Sequence, residues 1–403
     1  MKFSHRIKVY QAYMKALKLA AAVIPMPKPI LFLGQDSSLE LCQAIAHVGK
    51  RKVLIVTDSM LAELGLLDGI VQVLNQNGVE SVIFDGVLPD PTYDQVEKGL
   101  SIYQEHACDG VLAVGGGSPI DAAKVIAARA TNSRPIRKLA GLFKVWRTPA
   151  SLFVIPTTAG TGSEVTIAAV VSDPISHQKT PIIDPKLVPM MAALDAKLMQ
   201  GLPAHVTAAT GMDALTHAIE AYISRNASQE TNGYAIAAIK LIMQNLEKAV
   251  EQGSNLEARQ NMALASYYAG LAFTKASLGY VHAISHNVGA KYGTPHGLAN
   301  AIILPYVLEY SKDAAIDKLA EIAVMSGLDS TGSQQVKVAR LIAHIRGMLE
   351  RMGMPENLKA IQSRDIPNLA QAALKEAHWN YPVPLYMDQG ECERLIAKVA
   401  GSE

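Results

Sequence analysis

Four short apolar runs constrain the fold most: Val53-Leu54-Ile55-Val56, Val82-Ile83-Phe84, Val111-Leu112-Ala113-Val114 and Leu152-Phe153-Val154-Ile155. Runs this short and this rich in branched residues suit parallel strands buried on both faces. Met60 to Gly78 separates the first two, and Tyr93 to His106 lies between the second and third. Parallel strands need crossovers, and each interval is long enough for a helix, so the spacing predicts βαβ units. Gly115-Gly116-Gly117 follows the third run directly, and Pro119 to Ala130 then reads as helix. A glycine turn between strand end and helix start is where a doubly wound sheet holds its ligand.

From about Ala204 the pattern changes to alanine-rich helical segments, such as Ala208 to Ile223, Asn232 to Val250 and Leu256 to Ala272. We therefore expect an α/β dinucleotide-binding domain over residues 1–203 and an all-α domain over 204–403, with the boundary at Leu202-Pro203. A single continuous domain is the alternative. Asp329 to Ser333 reads as a loop between helices. A length of 403 residues at 49% hydrophobic content has room for two cores. Thirty-seven Lys and Arg balance 36 Asp and Glu, leaving a net charge of +1 and no basic block for nucleic acid. Three separated cysteines without a CxxC pair suit a reducing cytosol, so a cytoplasmic location is expected. Residues 1–28 form an N-terminal arm whose run Ala20 to Ile24 is broken by Lys15 and Lys18 upstream and ended by Pro25 and Pro27. It is too short for a membrane span and reads as an amphipathic helix, with a secretory signal as the lesser reading.

Several clusters could carry chemistry. In Gly115-Gly116-Gly117-Ser118-Pro119-Ile120-Asp121 the glycines let backbone approach a phosphate, whose charge the free N–H groups at a helix start stabilise. A plain strand-to-helix turn explains the same residues, and the pattern is not GxGxxG. A second small-residue loop, Thr157-Thr158-Ala159-Gly160-Thr161-Gly162-Ser163-Glu164, follows the fourth run. Two such loops favour nucleotide binding and make Asp121 and Thr161 candidate contacts with the rest. Asp58 ends the first strand, where a carboxylate accepts from an adenosine ribose and repels a 2′-phosphate; it is equally a helix N-cap.

Asp213 and His217 stand four residues apart and share a helix face, with Met212, Leu215 and Ile219 on a different, apolar one. Alone, such a pair is more often a surface interaction than a metal site. However, His282 and His286 repeat the spacing and His296 follows nearby, so four of 11 histidines fall in two windows. Mixed oxygen and nitrogen donors suit Fe²⁺, Zn²⁺ or a similar divalent ion with a position open for substrate. Spacing does not choose between His282 and His286, since either could face the ion while the other handles protons.

At these residues, and over roughly Pro29 to the C-terminus, the chain resembles the iron-containing (group III) alcohol dehydrogenase family, related in fold to dehydroquinate synthase and glycerol dehydrogenase. The resemblance rests on Gly115 to Asp121, Thr157 to Glu164, Gly211 to Glu220 and His282 through Asn300. It implies Asp213, His217, His282 and His296 as metal ligands, with His286 beside the substrate as a proton relay. It also implies that Gly116, Gly117, Ser118, Thr157, Thr158 and Lys179 touch the cofactor, and that Asp58 favours NAD over NADP. Asp90, in Pro89-Asp90-Pro91-Thr92, departs from the asparagine often found there. The arm through about Lys28 is an extension that the resemblance does not explain.

The expected reaction is reversible hydride transfer between NAD and a small primary alcohol or aldehyde, the ion acting as Lewis acid on the oxygen. The first domain would hold NAD and the second the metal. A hydroxyacid–oxoacid transhydrogenase on the same fold is a second enzyme reading, and a catalytically silent nucleotide-binding homologue is the non-enzyme one. No membrane or nucleic-acid partner is expected, and a homodimer or larger homo-oligomer is.

Overall fold

The computed structural model describes residues 3–22, 26–175 and 179–401. Residues 23–25, part of the arm delimited above, lie outside the described residues. The chain divides into two compact units, Pro25–Leu202 and Pro203–Glu403, the latter joined by Met1–Ile24. The arm thus groups with the helical unit, although sequence order places it before the α/β one. Its helix Phe3–Ala22 buries Tyr10 and Met14. Tyr10 packs on His378, Trp379 and Tyr386 at ring distances of 5.0, 4.9 and 5.9 Å. The arm's apolar residues have an aromatic surface to cover, and that surface lies near the end of the chain.

The α/β unit contains strands β1 (Ile30–Leu33), β2 (Lys52–Val56), β3 (Glu80–Phe84), β4 (Gly110–Gly115), β5 (Gly141–Leu142), β6 (Ser151–Pro156), β7 (Ala168–Ser172), β8 (Lys179–Ile183) and β9 (Met191–Leu194). Six form a parallel sheet in the order β1-β9-β6-β4-β2-β3, and β5, β8 and β7 form a second, smaller sheet. The four apolar runs are β2, β3, β4 and β6. Central β4 is buried at every position, as its uninterrupted apolar sequence requires. The interval Met60 to Gly78, expected as one crossover helix, holds two, Ser59–Glu63 and Asp68–Gln76. Gly65 turns the chain between them at φ 71°, a conformation few other residues adopt. The next crossover is the helix Tyr93–Glu105, opened by Thr92 and Gln95 in a capping box. One core fills each face of the sheet, around Val56, Ala113 and Ile126 on one side and Ile55, Leu112 and Phe153 on the other.

Among its described residues the second unit is helical throughout. Its first helix, Ala204–Ile223, is buried along almost its full length, polar residues included. The face of Asp213, Thr216, His217 and Glu220 is as enclosed as the apolar face of Met212, Leu215 and Ile219. The helices Gln229–Glu251 and Leu256–Ala276 pack beside it, and Tyr280–Tyr292, His296–Ser311 and Ile366–Asn380 follow. Among the described residues no helix is long and apolar enough to cross a membrane.

Candidate functional site

In the helical unit, three helices converge on the carboxylate of Asp213. Ala204–Ile223 supplies Asp213, His217 and Glu220; Tyr280–Tyr292 supplies His282 and His286; His296–Ser311 supplies His296 and Asn300. Close approach depends on glycine: a Cβ on Gly297 would stand 2.5 Å from the Ala209 carbonyl oxygen. Around Asp213 Oδ1 lie His282 Nε2 and His296 Nε2, each at 3.6 Å, and His217 Nδ1 at 3.9 Å. These separations are too long for hydrogen bonds. Donors held about 2.0–2.2 Å from one shared ion stand roughly 3.4 Å apart in a tetrahedral arrangement, so the spacing fits common ligation.

Asp213, His217 and His282 bring one ligand atom each within 4.8 Å of one another, all buried. The side chain of His296 is more open, at 36% exposure. The His217 ring stacks between Phe273 and His282, at 4.3 and 4.5 Å. Burial alone would raise the Asp213 carboxyl, but His217, His296 and His282 outweigh it and hold it far below the usual carboxylate range. Burial would lower His282, but Glu220 and Asp213 raise it to about 9. Burial pulls His296 well down, against Asp213 and helped by the neighbouring histidines. A buried carboxylate in a ring of imidazoles fits a divalent cation.

Two further residues, not singled out from sequence, complete the cluster. Glu220 Oε2 accepts from His282 Nδ1 at 2.6 Å and from the Gly279 N–H at 2.8 Å, while Oε1 accepts from the Val281 N–H at 2.8 Å. This carboxylate both caps the helix carrying His282 and aims its Nε2 at Asp213. Asn300, fully buried, donates from Nδ2 to Asp213 Oδ1 at 2.7 Å and lies 3.2 and 3.1 Å from the Nε2 atoms of His282 and His296. Its Oδ1 has no hydrogen-bond partner among the described residues. Asn300 follows His296 by four residues and Glu220 follows His217 by three, helical spacings that could have flagged both. His286 sits one turn after His282, its ring parallel to that of His296 at 5.2 Å. Its Nδ1 pairs with Glu376 Oε1 at 2.7 Å.

In the α/β unit the two small-residue loops press together. Gly115 turns at φ 153°, with its Cβ position 2.6 Å from Pro119. A Cβ on Gly116 would meet Thr158 at 3.3 Å, and one on Gly117 would meet Thr161 at 2.9 Å. Thr157 donates its N–H to the Gly115 carbonyl at 3.0 Å. The helix Gly117–Thr131 starts here, with Ser118 in its first turn, and presents free N–H groups suited to a phosphate.

Asp121 spends both oxygens on its own unit: Oδ1 accepts from Ser163 Oγ at 2.6 Å and Oδ2 from the Val170 N–H at 2.9 Å. It braces one loop against the other. Beneath it, buried Lys124 donates to Thr166 O, Thr166 Oγ1 and Ala168 O at 2.8, 2.9 and 2.7 Å, and burial lowers it to about 8. Burial raises Glu164, close by in the second loop, to about 7. Asp58 is an N-cap, accepting from the Leu61 N–H at 3.0 Å. Lys179 pairs with Asp90 at 2.8 Å, so the residue that departs from asparagine holds a lysine implied to touch the cofactor.

Known proteins share this plan. The N-terminal model of iron-containing alcohol dehydrogenases matches residues 27–196, and the C-terminal model of the same family matches 207–399. The chain is 42% identical over 352 residues to the 1,3-propanediol dehydrogenase of Klebsiella pneumoniae, covering 86% of this chain and 91% of that one. It is 37% identical to an NAD-dependent methanol dehydrogenase of Bacillus methanolicus, covering 86% and 92%. A crystal structure of a 1,3-propanediol oxidoreductase superposes with a TM-score of 0.91 at 38% identity, over 94% of this chain and all of the other. Matched through both units and carrying an Asp–His cluster fit for a divalent ion, the chain belongs to the iron-containing alcohol dehydrogenase family.

Proposed function

We propose that the chain is a metal-dependent oxidoreductase that moves a hydride between NAD and a small primary alcohol or its aldehyde. The observation that carries this reading is the buried Asp213 carboxylate ringed by imidazole nitrogens. Asp213, His217, His282 and His296 would hold Fe²⁺, with Zn²⁺ or another divalent ion as a substitute. Iron bound there supplies Lewis acidity that eases loss of the alcohol's proton near neutral pH, and NAD, when bound, supplies the hydride acceptor.

The chain's own residues do the rest. Glu220 accepts from Nδ1 of His282 and leaves its Nε2 for ligation. Glycines 116 and 117, with Ser118 and the first turn of the helix, receive a pyrophosphate, and Thr157, Thr158 and Thr161 line the second loop beside them. Asp121 keeps the two loops together, acting on the cofactor through them. Asp58, already fixed as a cap, offers a carboxylate to a ribose and repels a 2′-phosphate. Lys179 reaches the cofactor from its pairing with Asp90. His286 takes up the proton that oxidation releases. The α/β unit is accordingly the NAD-binding domain, and the helical unit the metal-binding one. The three cysteines are free and buried, which supports a cytosolic setting. Edge strand β1 exposes Ile30 and Leu33, which supports a homodimer or larger homo-oligomer.

One assay tests the reading: short alcohols, diols and hydroxyacids offered with NAD or NADP after reconstitution with Fe²⁺ or Zn²⁺. Metal-dependent NADH formation from a primary alcohol is expected, and His282→Ala should lose the metal while still binding NAD. Hydride exchange between two substrates without free NADH would favour a transhydrogenase instead, and NAD binding with no turnover a silent homologue.

A further inference from the structure

His286 does not stand alone. Its Nδ1 lies 2.7 Å from Glu376 Oε1, and the same oxygen accepts from the Tyr381 hydroxyl at 2.7 Å. The other oxygen, Oε2, accepts from Asn287 Nδ2 at 3.3 Å, and Asn380 Nδ2 donates to the Glu376 backbone carbonyl at 2.9 Å. Donors thus converge on one carboxylate from two segments of chain, Asn287 beside His286 and Tyr381 at the end of Glu376's own helix. Both partners of the central pair are only partly exposed, at 30% and 25%. The His286 ring lies parallel to that of His296 and edge-on to that of His282 at 5.8 Å, so it sits against the candidate metal cluster.

An ionised carboxylate accepts hydrogen bonds and donates none. Whatever imidazole nitrogen it touches must therefore carry the hydrogen, and in a neutral ring the other nitrogen keeps its lone pair. We infer that Glu376 is the positioning residue of the proposed oxidation, locking His286 with hydrogen on Nδ1 and leaving Nε2 as the proton acceptor. This rests on the alcohol dehydrogenase reading above. Oxidation of a primary alcohol sends one hydrogen with two electrons to NAD as hydride, and releases the hydroxyl hydrogen as a proton. That proton leaves oxygen and forms a bond to Nε2 of His286. The imidazolium so formed is balanced by Glu376, which stays ionised, and in aldehyde reduction the same proton returns. Tyr381 and Asn287 hold the carboxylate so that it turns neither oxygen elsewhere.

Glutamine at this position offers Nδ1 an N–H as readily as a carbonyl oxygen, so the ring is no longer confined to the Nδ1-protonated tautomer. Glu376→Gln should therefore lower kcat about 10- to 100-fold, with iron content and alcohol KM close to those of the parent. Glu376→Asp, still acceptor-only, should recover part of the loss. In a His286→Ala background Glu376→Gln should change kcat less than twofold, because a residue acting through His286 has nothing left to act on. A second readout is independent of turnover: two-bond ¹H–¹⁵N spectra of the full chain labelled in histidine and loaded with Zn²⁺. His286 should show the Nδ1-protonated pattern in the parent and lose it in Glu376→Gln. Equal losses from Glu376→Gln with and without His286 would overturn the assignment, as would a His286 spectrum unmoved by the substitution. If the parent oxidises no primary alcohol, the functional reading fails first, and the nitrogen spectrum still decides whether Glu376 sets the ring.

Discussion

One helix, Tyr280–Tyr292, carries two histidine–carboxylate pairs a single turn apart, and they are built differently. His282 and Glu220 are buried, at 1% and 3% exposure, and Glu220 comes from the helix that also bears Asp213 and His217. His286 and Glu376 are a quarter to a third exposed, and Glu376 comes from a later helix with no part in the metal cluster. The chemistry of the two contacts is the same, with Nδ1 facing a carboxylate oxygen at 2.6 or 2.7 Å. What differs is how each pair treats a proton. Burial makes the inner pair a fixed strut, since moving a proton there would strand a charge away from water. Partial exposure leaves the outer pair in reach of solvent, so a charge placed there is not stranded.

The contrast breaks most easily at Glu220. Glu220→Ala strands the His282 Nδ1 and the N–H groups of Gly279 and Val281 in a dry interior. It should cost about 3–5 kcal/mol in denaturant unfolding and weaken iron retention about 10- to 100-fold, whereas Glu376→Ala should leave iron retention unchanged. Equal iron loss from both would erase the distinction. A smaller effect is expected at Gly279, where a Cβ would lie 2.7 Å from Glu220 Oε1. Gly279→Ala should cost about 1–3 kcal/mol and lower metal affinity by shifting the carboxylate off His282, a loss that calorimetric metal titration would detect.

The least effect concerns pH and the outer pair. Burial would raise the Glu376 carboxyl, but the hydrogen bond and charge of His286, with help from the Tyr381 hydroxyl, hold it below its ordinary 4.5. A depressed carboxyl lends stability above its unfolded value and loses it as pH falls through the folded one. The unfolding midpoints of the parent and Glu376→Gln should therefore differ most above pH 4.5 and converge in more acidic solution. A difference that grew on acidification would contradict the pairing.

Much of this was legible in the residues. The branched runs of β2, β4 and β6 announce buried parallel strands, and the four-residue spacing of Asp213 and His217 puts two donors on one face. Other parts carry no such signal. Met191-Ala192-Ala193-Leu194 has no β-branched or aromatic residue, so β9 is a strand through its neighbours β1 and β6 alone. In β8, which lies between β5 and β7, Pro181 argues against a central strand, and it is tolerated because β5 pairs only with Ile182 and Ile183, leaving Pro181 paired on the β7 side alone. The helix Ala204–Ile223 is enclosed on every side, so no apolar stripe marks its inner face. Glu376 looks like any helical glutamate until tertiary structure brings His286 to it. Glu376 is 90 residues from its histidine, beyond the reach of any local pattern.

The aromatic contact between Tyr10 and Tyr386 has a consequence for how the chain is made. The helix Phe3–Ala22 leaves the ribosome before the whole α/β unit, while the surface it covers, around His378, Trp379 and Tyr386, follows that unit. At about 5–20 residues per second, that leaves tens of seconds of synthesis in which the arm has no docking site, while the α/β unit can already fold. The helical unit is therefore completed by segments from both sides of the α/β unit at once. A nascent-chain experiment should find Tyr10 accessible to modification until the residues after Tyr386 have emerged.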